Sequence, residues 1–451
     1  MNGYSGGSVT GGVYTALPGL LMLPYLTDVL DMSALAAGII VLLQSLWLVI
    51  VTPWVGRMSD LSSGVLVERT SWVWLGGLGL AVAFPLVFVT PFLAGQTIQT
   101  VTVVTALIAS ATLYACFQGP YMAFAADVGA DEQTHTRLMA RRVLVLAVTI
   151  LVVGAAAPAV HTALPGSTGF RVVGLAAGLL IAASTVVSCV WAPHPSRPHR
   201  ATSAVRRPGA KEGRRALRRA PFRSLLANYA LQGIGTGASL SGLVYVATYV
   251  LHDAAVASGI FLALFGATIL SVPVWERVGA RLGKRGALMS GTVLYVCGCA
   301  AMLDISALPR AVIYAVSAVI GVGYGAMQVF PMSMLPDVTR QAARVSGRPM
   351  RAGLFGGVWT SVETGSLAAG SVAFSVVLAL GGYRSAADGQ VAEQTPEVTH
   401  AMVLGFAGLP AVALLLSLVP LLRYRLTPPR TGRTKPLPSR HAHRRCPVPE
   451  G

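Results

Sequence analysis

The sequence predicts an all-α integral membrane protein whose twelve transmembrane helices form two groups of six. Of the 451 residues, 54% are hydrophobic and only 11% are charged, whereas a soluble globular chain carries about 25% charged residues. Twelve stretches are apolar over the roughly 20 residues that a helix needs to cross a bilayer. A basic segment without apolar periodicity, residues 193–223, separates the first six stretches from the last six.

These predicted spans are numbered 1 to 12 in chain order. Spans 1 and 11 are rich in glycine, which is typical of closely packed transmembrane helices. Because the number of spans is even, both termini lie on the same side of the membrane. The spans lie near residues 8–30, 34–56, 72–94, 100–126, 142–163, 170–192, 224–250, 256–276, 286–304, 310–335, 352–381 and 400–422.

Positively charged side chains indicate on which side of the membrane the two termini lie. Arginine and lysine gather in the loops after spans 2, 4, 8 and 10, most densely between Arg277 and Arg285. The loops after spans 1, 7 and 11 are short or acidic, and the first of them carries Asp28 and Asp31. Because loops rich in Lys and Arg stay in the cytoplasm, we expect a multi-pass protein of the cell membrane with both termini cytoplasmic.

The chain divides into four predicted parts. They are an N-terminal bundle (1–192), a basic cytoplasmic linker (193–223), a C-terminal bundle (224–422) and a basic disordered cytoplasmic tail (423–451). The net charge is +17, and 10 of the 34 Lys and Arg lie between residues 197 and 223. Beside apolar spans, such charge favours anionic lipid head groups over nucleic acid. We expect a monomer.

The two halves carry similar segments at equivalent places. GPYMAFAADVGADEQTHTRLMARR (119–142) closes span 4, and VFPMSMLPDVTRQAARVSGRPMR (329–351) closes span 10. Each has a proline, an apolar stretch with methionine, an aspartate (Asp127 or Asp337) and several arginines. Two parallel six-helix repeats are the architecture of the major facilitator fold, in which the solute site lies between the halves.

Four segments resemble the glycoside–pentoside–hexuronide:cation symporters, the family of melibiose permease. They are PYLTDVLDMSALAAG (24–38), VPVWERVGARLGKRGAL (272–288), GVGYGAMQVFPMSMLPDV (321–338) and GGVWTSVETGSLAAG (356–370). The resemblance covers both halves in order. It implies a symporter-type secondary transporter that moves a small polar, sugar or glycoside-like solute by alternating access.

The resemblance fails at positions that matter for coupling. The two aspartates of the family's cation site would fall at Leu48 and Thr52, and its span 11 lysine would fall at Thr364. The acids that contact sugar would fall at Gly12 and Gln118. Hard cations such as sodium need a dense set of oxygen ligands. We therefore expect coupling to protons, or no coupling, and no metal site.

Several residues are candidates for the transport cycle. Glu363 lies inside span 11, where a carboxyl is costly and tends to face a cavity or a partner, so it is the candidate for proton coupling. The glutamines can instead bond across helices. The rings of Trp47, Tyr121 and Trp359 could stack on a sugar ring, or they can simply pack. The candidates for solute binding are Gln44, Gln118, Tyr121, Arg142, Gln328, Trp359 and Thr364.

Charged and small residues at the cytoplasmic turns are candidates for gating. They are Gly56, Asp60, Asp127 and Asp337. A carboxylate such as that of Asp60 could pair with an arginine of the other half and bias the equilibrium between conformations. The alternative is a surface charge of small consequence.

Two other functions remain open. An apolar cavity would also suit an exporter of an amphipathic drug or metabolite, and the basic linker and tail would suit a membrane sensor or scaffold without transport. Because the sequence has no phosphate-binding loop, metal-ligand set or hydrolase motif, we expect neither an enzyme nor a cofactor.

Overall fold

A computed structural model describes residues 5–61, 66–89, 96–128, 132–164, 167–190, 220–346, 352–383 and 394–424. Within some of these helices the side chains lie outside the described part, notably in 59–61, 66–69, 122–128, 132–140, 339–346 and 352–357. Most of the linker and the tail from residue 425 also lie outside it.

The N-terminal half contains six helical spans. Span 1 is Ser8–Leu17 followed by two π-helical turns, Pro18–Met22 and Tyr25–Val29. These turns widen the helix next to the end of the span. Spans 2 to 6 are Ala34–Leu61, Leu66–Val89, Gln96–Val128, Glu132–Ala163 and Ser167–Val190.

The C-terminal half repeats this order. Span 7 is Ala220–Tyr245 with the π-helical turn Val246–Val250. Spans 8 and 9 lie in Ala255–Ala301 and run on into the 3₁₀-helix Met302–Ala307. Spans 10 and 11 are Arg310–Ser346 and Ala352–Leu380. Span 12 comprises Pro396–Val403, the π-helical turn Leu404–Gly408 and Leu409–Arg423.

The prediction of twelve spans is confirmed. Gly283, with a φ of 73°, breaks Ala255–Ala301 into two helices at the predicted turn between spans 8 and 9. A left-handed residue there favours glycine, which has no Cβ to clash. Nine helical stretches of the described chain are long and apolar enough to cross a membrane, and the longest holds both spans 8 and 9. Spans 1 and 7 complete the set.

The two halves touch closely at one end of the bundle. Span 2 packs on span 11, and span 5 packs on span 8. A Cβ added to Gly38 would lie 2.5 Å from the Oγ of Ser375, and one added to Gly154 would lie 2.1 Å from the ring of Phe261. Small residues permit such an approach between membrane helices. We call this end, formed by residues 25–38, 150–160, 245–261 and 371–383, the closed end.

The closed end carries a structural repeat. TDVLD (27–31) ends span 1 and TYVLH (248–252) ends span 7. After each π-helical turn, the next amide donates to a carbonyl five residues back, at 3.3 and 3.0 Å. Asp31 and His252 then have φ values of 52° and 51°, an uncommon conformation for residues other than glycine. The halves therefore share fine backbone detail as well as helix order.

Candidate functional site

Glu363 lies at the centre of a small polar and aromatic cluster in the C-terminal half. Its Oε1 accepts a hydrogen bond of 2.9 Å from the Tyr229 hydroxyl of span 7. The Tyr229 ring stacks on Trp359, with the ring centroids 4.2 Å apart. Trp359 and Glu363 are four residues apart and so share one face of span 11. Because Trp359 is only 1% exposed, it packs against Tyr229 and supports the bond to Glu363.

The N-terminal half presents its own polar wall. The amide of Gln44 donates to the Tyr14 hydroxyl at 3.1 Å, and the Tyr14 ring stacks on Tyr114 with centroids 4.1 Å apart. Gln118 lies beside span 1, since its Oε1 is 3.9 Å from the position of a Cβ on Gly11. For Gln44, the cross-helix bond matches the alternative interpretation drawn from the sequence.

Arg142 adds a positive charge to this wall. Its guanidinium carbon lies 5.8 Å from the centre of the Tyr121 ring, a cation–π arrangement. The Tyr121 hydroxyl lies 3.1 Å from the Oγ of Ser8 on span 1. The Nε of Arg142 is buried and has no hydrogen-bond acceptor among the described residues. The arginine is therefore held by packing and keeps donor capacity.

The two walls face each other. Tyr114 interacts electrostatically with Arg142 of its own half and with Glu363 of the other half. Tyr324 of span 10 interacts with Glu363 and forms a side-chain hydrogen bond with Gln328. We call this region, with Tyr114 and Arg142 on one side and Tyr229, Tyr324 and Glu363 on the other, the central site.

Leu48 and Thr52, which stand where the resembling family has its two cation-site aspartates, lie in apolar surroundings. The Thr52 hydroxyl donates to the carbonyl of Leu48 in its own helix at 2.6 Å. Leu48 packs against a hydrophobic cluster that includes Val51, Val55 and Cys116. The described residues of this part of span 2 therefore offer a cation a threonine oxygen already bonded to backbone, beside apolar side chains.

Two further candidates are placed without a defined role. Thr364 is half-buried next to Glu363. The indole nitrogen of Trp47, which could have stacked on a sugar ring, donates to the hydroxyl of Thr112 on span 4 at 2.9 Å.

Of the four gating candidates, the structure describes the surroundings of Asp337 alone. The surroundings of Gly56 and the side chains of Asp60 and Asp127 lie outside the described part of the chain. Asp337 forms an ion pair of 2.5 Å with Lys284 of the turn between spans 8 and 9. Both residues belong to the C-terminal half, so this pair braces one half. Burial, and to a lesser extent the negative charge of Asp337, raises the pKa of nearby Tyr424 to about 12.

A cluster around Asp28 was not expected from the sequence. The hydroxyls of Thr27, at 2.6 Å, and Tyr383 both donate to its Oδ1. Tyr249 also bonds this carboxyl, and its hydroxyl lies 3.3 Å from that of Tyr383. Thr27 in turn lies 2.6 Å from the Tyr245 hydroxyl. An acid and a threonine of the N-terminal half are thus bonded to three tyrosines of the C-terminal half.

A signal for this cluster was available in the sequence. Asp28 interrupts an otherwise uncharged span end, and the same five-residue pattern at 248–252 has Tyr249 at the matching place. Comparing the two ends could have singled out Asp28 and Tyr249 as a pair.

The C-terminal half also encloses an apolar cavity of about 30 Å³. Leu243, Phe261, Phe265 and Ile320 are among the residues that line it. Tyr324 lines it as well and also interacts with Glu363. The cavity therefore adjoins the central site on the side toward the closed end.

Several solved transporter structures have a similar fold. The nucleoside transporter NupG superposes with a TM-score of 0.65 at 11% identity, covering 95% of this chain and all of the other. An inward-facing bacterial homologue of the human lysosomal transporter Spinster gives 0.64 at 12% identity, covering 94% of both chains. A D-xylose–proton symporter gives 0.62 at 12% identity, covering 92% of this chain and 95% of the other.

These identities show a shared fold. No curated protein sequence matches the chain. The model of the family described as MFS/sugar transport protein matches residues 3–428, nearly the whole chain. With twelve helices in two halves and a polar site between them, this multi-pass membrane protein belongs to that family of transporters.

Proposed function

We propose that the chain is a secondary active transporter that moves a small polar, sugar-like or nucleoside-like solute by alternating access, with proton coupling through Glu363. The observation that carries this proposal is a membrane carboxyl that faces the other half. Glu363 is bonded to Tyr229 at 2.9 Å and interacts electrostatically with Tyr114 across the interface. Ionisable groups inside membrane spans mark ion and substrate pathways.

The chemistry of the central site suits a hydroxylated ring. Gln118, Gln328 and Arg142 supply donors and acceptors from both halves, and the half-buried rings of Tyr114 and Tyr324 supply aromatic faces. The candidates Tyr121 and Trp359 are buried in this conformation and contribute by packing. Aromatic walls with a few placed polar groups are typical of small-molecule sites. The names of two structural neighbours, a nucleoside transporter and a D-xylose–proton symporter, are consistent with this class of solute.

Protons are favoured over sodium as the coupling ion. Sodium would need several oxygen ligands, and Leu48 and Thr52 stand at the family's cation positions. If coupling has been lost, the chain is a uniporter of the same solute.

The proposed topology follows the charge distribution. We place both termini in the cytoplasm and the closed end outside the cell, because Lys and Arg gather in loops at the opposite end. In this arrangement the linker and the tail face the anionic lipid of the inner leaflet. Gly56, Asp60 and Asp127 belong to the turns that would form the cytoplasmic gate.

Proton movement in proteoliposomes tests the proposal. Purified protein is reconstituted with a trapped pH-sensitive dye, and pentoses, hexoses, glycosides and nucleosides are added in turn. Solute-dependent acidification is expected for the native chain and lost in Glu363→Gln, because an amide cannot carry the proton. Gly365→Ala lies two residues away on the same helix, keeps the carboxyl and adds a Cβ that meets no atom within 4 Å. It is the matched control and keeps the response.

Other outcomes would contradict it. Solute flux without proton movement would make the chain a uniporter. Sodium-stimulated uptake would overturn proton coupling, and proton movement that survives Glu363→Gln would remove the role of this residue.

Export of an amphipathic compound is the second candidate function. The apolar cavity beside Tyr324 favours it, because an apolar group of a solute held at the central site could enter there. Deletion of the gene should then sensitise the cell to amphipathic compounds while uptake of sugars and nucleosides is unchanged. Normal resistance to such compounds would exclude this function.

A further inference from the structure

The carboxyl of Asp28 joins the two halves of the protein at the closed end. Its Oδ1 accepts hydrogen bonds from Thr27 in its own half and from Tyr383 in the other. Tyr249, also of the other half, bonds the same carboxyl. Three hydroxyl groups on two halves therefore converge on one acid.

The hydroxyl bonds can be given consistent directions. Tyr245 can donate to Thr27, whose Oγ1 lies 2.6 Å away, while Thr27 and Tyr383 donate to the carboxyl. Tyr249, whose oxygen lies 3.3 Å from the Tyr383 hydroxyl, donates to Asp28. Every donor then points toward Asp28. An ionised carboxylate accepts only, whereas a protonated one must also donate, so this arrangement suits the ionised form.

Tyrosines face this carboxyl from the elements packed around it. Tyr245 and Tyr249 come from the end of span 7 and Tyr383 from the end of span 11, and these three interact electrostatically with Asp28.

The other charged groups of the closed end are placed elsewhere. Asp31, His252, Asp304, Glu397 and His400 are exposed, and Asp253 forms an ion pair of 2.9 Å with Arg310. Arg171 of span 6 interacts electrostatically with Tyr25. Arg384, Asp388 and Glu393 lie outside the described residues. Among the described residues, the carboxyl is thus held by hydroxyl groups.

We infer that Asp28 is a proton-binding site of the transport cycle, separate from the central site, and that its ionised form holds the closed end shut. Hydrogen bonds to a carboxylate are about twice as strong as those to a neutral group. A proton bound to Asp28 weakens these bonds, and the two halves can then separate at this end. The inference rests on alternating access, which is part of the proposed function, and is independent of the role of Glu363.

Thiol labelling at the closed end tests the inference. Ser375 packs against Gly38 between the halves and is 0% exposed, so Ser375→Cys in a chain without native cysteines reports opening. Glu397→Cys, at an exposed position nearby, corrects for the effect of pH on the reagent. The ratio of the two maleimide labelling rates in detergent is measured from neutral to acidic pH.

The expected result is a rise of about tenfold in the corrected rate as the pH falls, since weakening two charge-assisted bonds has roughly this effect. Asp28→Asn should label fast at every pH. Tyr383→Phe, which keeps the ring and removes one donor, should raise the rate severalfold at neutral pH. The second variant keeps the test valid if Asp28→Asn does not fold.

Two controls separate the possible failures. Glu363→Gln should keep the pH dependence of labelling. If the proposed coupling through Glu363 is wrong, the error therefore shows in the proton-movement assay and not in the labelling assay. Arg384→Gln removes the charge next to Tyr383 in the sequence and should also keep the pH dependence of labelling. Asp28→Asn that labels at the native rate, or retains the pH dependence, would overturn the inference, as would loss of the dependence in Arg384→Gln alone.

Discussion

Glu363 and Asp28 are both carboxyl groups bonded to tyrosine within the spans, but they differ in which half supplies the partner. Glu363 is bonded to Tyr229 of its own half, whereas Asp28 is bonded to Tyr383 of the opposite half. Separation of the halves would leave the first bond intact and break the second.

This difference assigns the two acids different tasks. Glu363 can keep its partner while the central site faces either side of the membrane, as a group that carries a proton must. Asp28 has its full set of partners only when the closed end is shut. We therefore propose that Glu363 serves the solute site and that Asp28 controls conformation.

Exchanging each acid for its amide is the strongest test of this comparison. Glu363→Gln should lower solute accumulation driven by a pH gradient by roughly tenfold or more. A gradient of one pH unit supplies about 1.4 kcal/mol per proton, which can support a tenfold solute gradient, and the amide variant loses this driving force. Asp28→Asn should still move protons with solute. Accumulation and solute-driven acidification measure both. The comparison fails if the two variants have the same defect.

A methyl group placed between the halves should disturb the closed end next most strongly. The Cβ of Gly38→Ala would lie 2.5 Å from the Ser375 Oγ, and overpacking costs about 1–3 kcal/mol. Labelling at the closed end and solute exchange should therefore change by about tenfold. In this experiment the reporter cysteine replaces Ala257, which is buried at the closed end, and leaves Ser375 in place.

A matched substitution supplies the control. A Cβ at Gly365, on the same span 11, meets no atom within 4 Å, so Gly365→Ala should behave as the native chain. Ser375→Gly combined with Gly38→Ala should restore closure, and absence of this rescue would contradict the steric explanation.

Removing one hydroxyl at each acid should have smaller effects, which differ between the two acids. Tyr383→Phe removes a bond across the halves and should loosen the closed end by roughly fivefold, as a hydrogen bond to a charged group contributes about 1.5–3 kcal/mol, part of which water replaces. Tyr229→Phe removes a bond within one half and should leave labelling within about twofold. Equal loosening by both variants would remove the distinction.

The ion pair between Lys284 and Asp337 should matter least. The two side chains are 44% and 25% exposed, and such pairs contribute about 0–1 kcal/mol. Lys284→Ala should thus shift the thermal unfolding midpoint only slightly and leave transport nearly unchanged. A double-mutant cycle with Asp337→Ala measures the coupling. A large loss of transport would show instead that Asp337 gates between the halves.

The helices were predictable because their signal is local. Each span is an apolar run, and the turn at Gly283 follows from the cluster Arg277–Arg285 that precedes span 9. The place of Glu363 inside span 11 was also predictable, and it made this residue a candidate because a charge inside such a run is costly wherever the helix packs.

Contacts between distant residues were not predictable. Asp28 and Tyr383 are 355 residues apart, and their meeting depends on how the halves dock, so Asp28 was interpreted only as a loop acid. Asp337 carried no indication that its partner would be Lys284 of the same half. From the sequence, the Gln44 amide could bind solute or form a hydrogen bond to a neighbouring helix. Its bond to Tyr14 depends on how spans 1 and 2 pack.

Asp28 and Tyr249 stand at matched positions of the two repeated turns. If both turns carried the same residue there, an acid could not meet a tyrosine at this place. Two aspartates facing each other here would repel, and two tyrosines would bring no charge. Closure of this kind could arise only after one copy diverged. The left-handed residues Asp31 and His252 show that the two turns share their backbone geometry although their side chains differ, so the asymmetry of the closed end lies in its side chains.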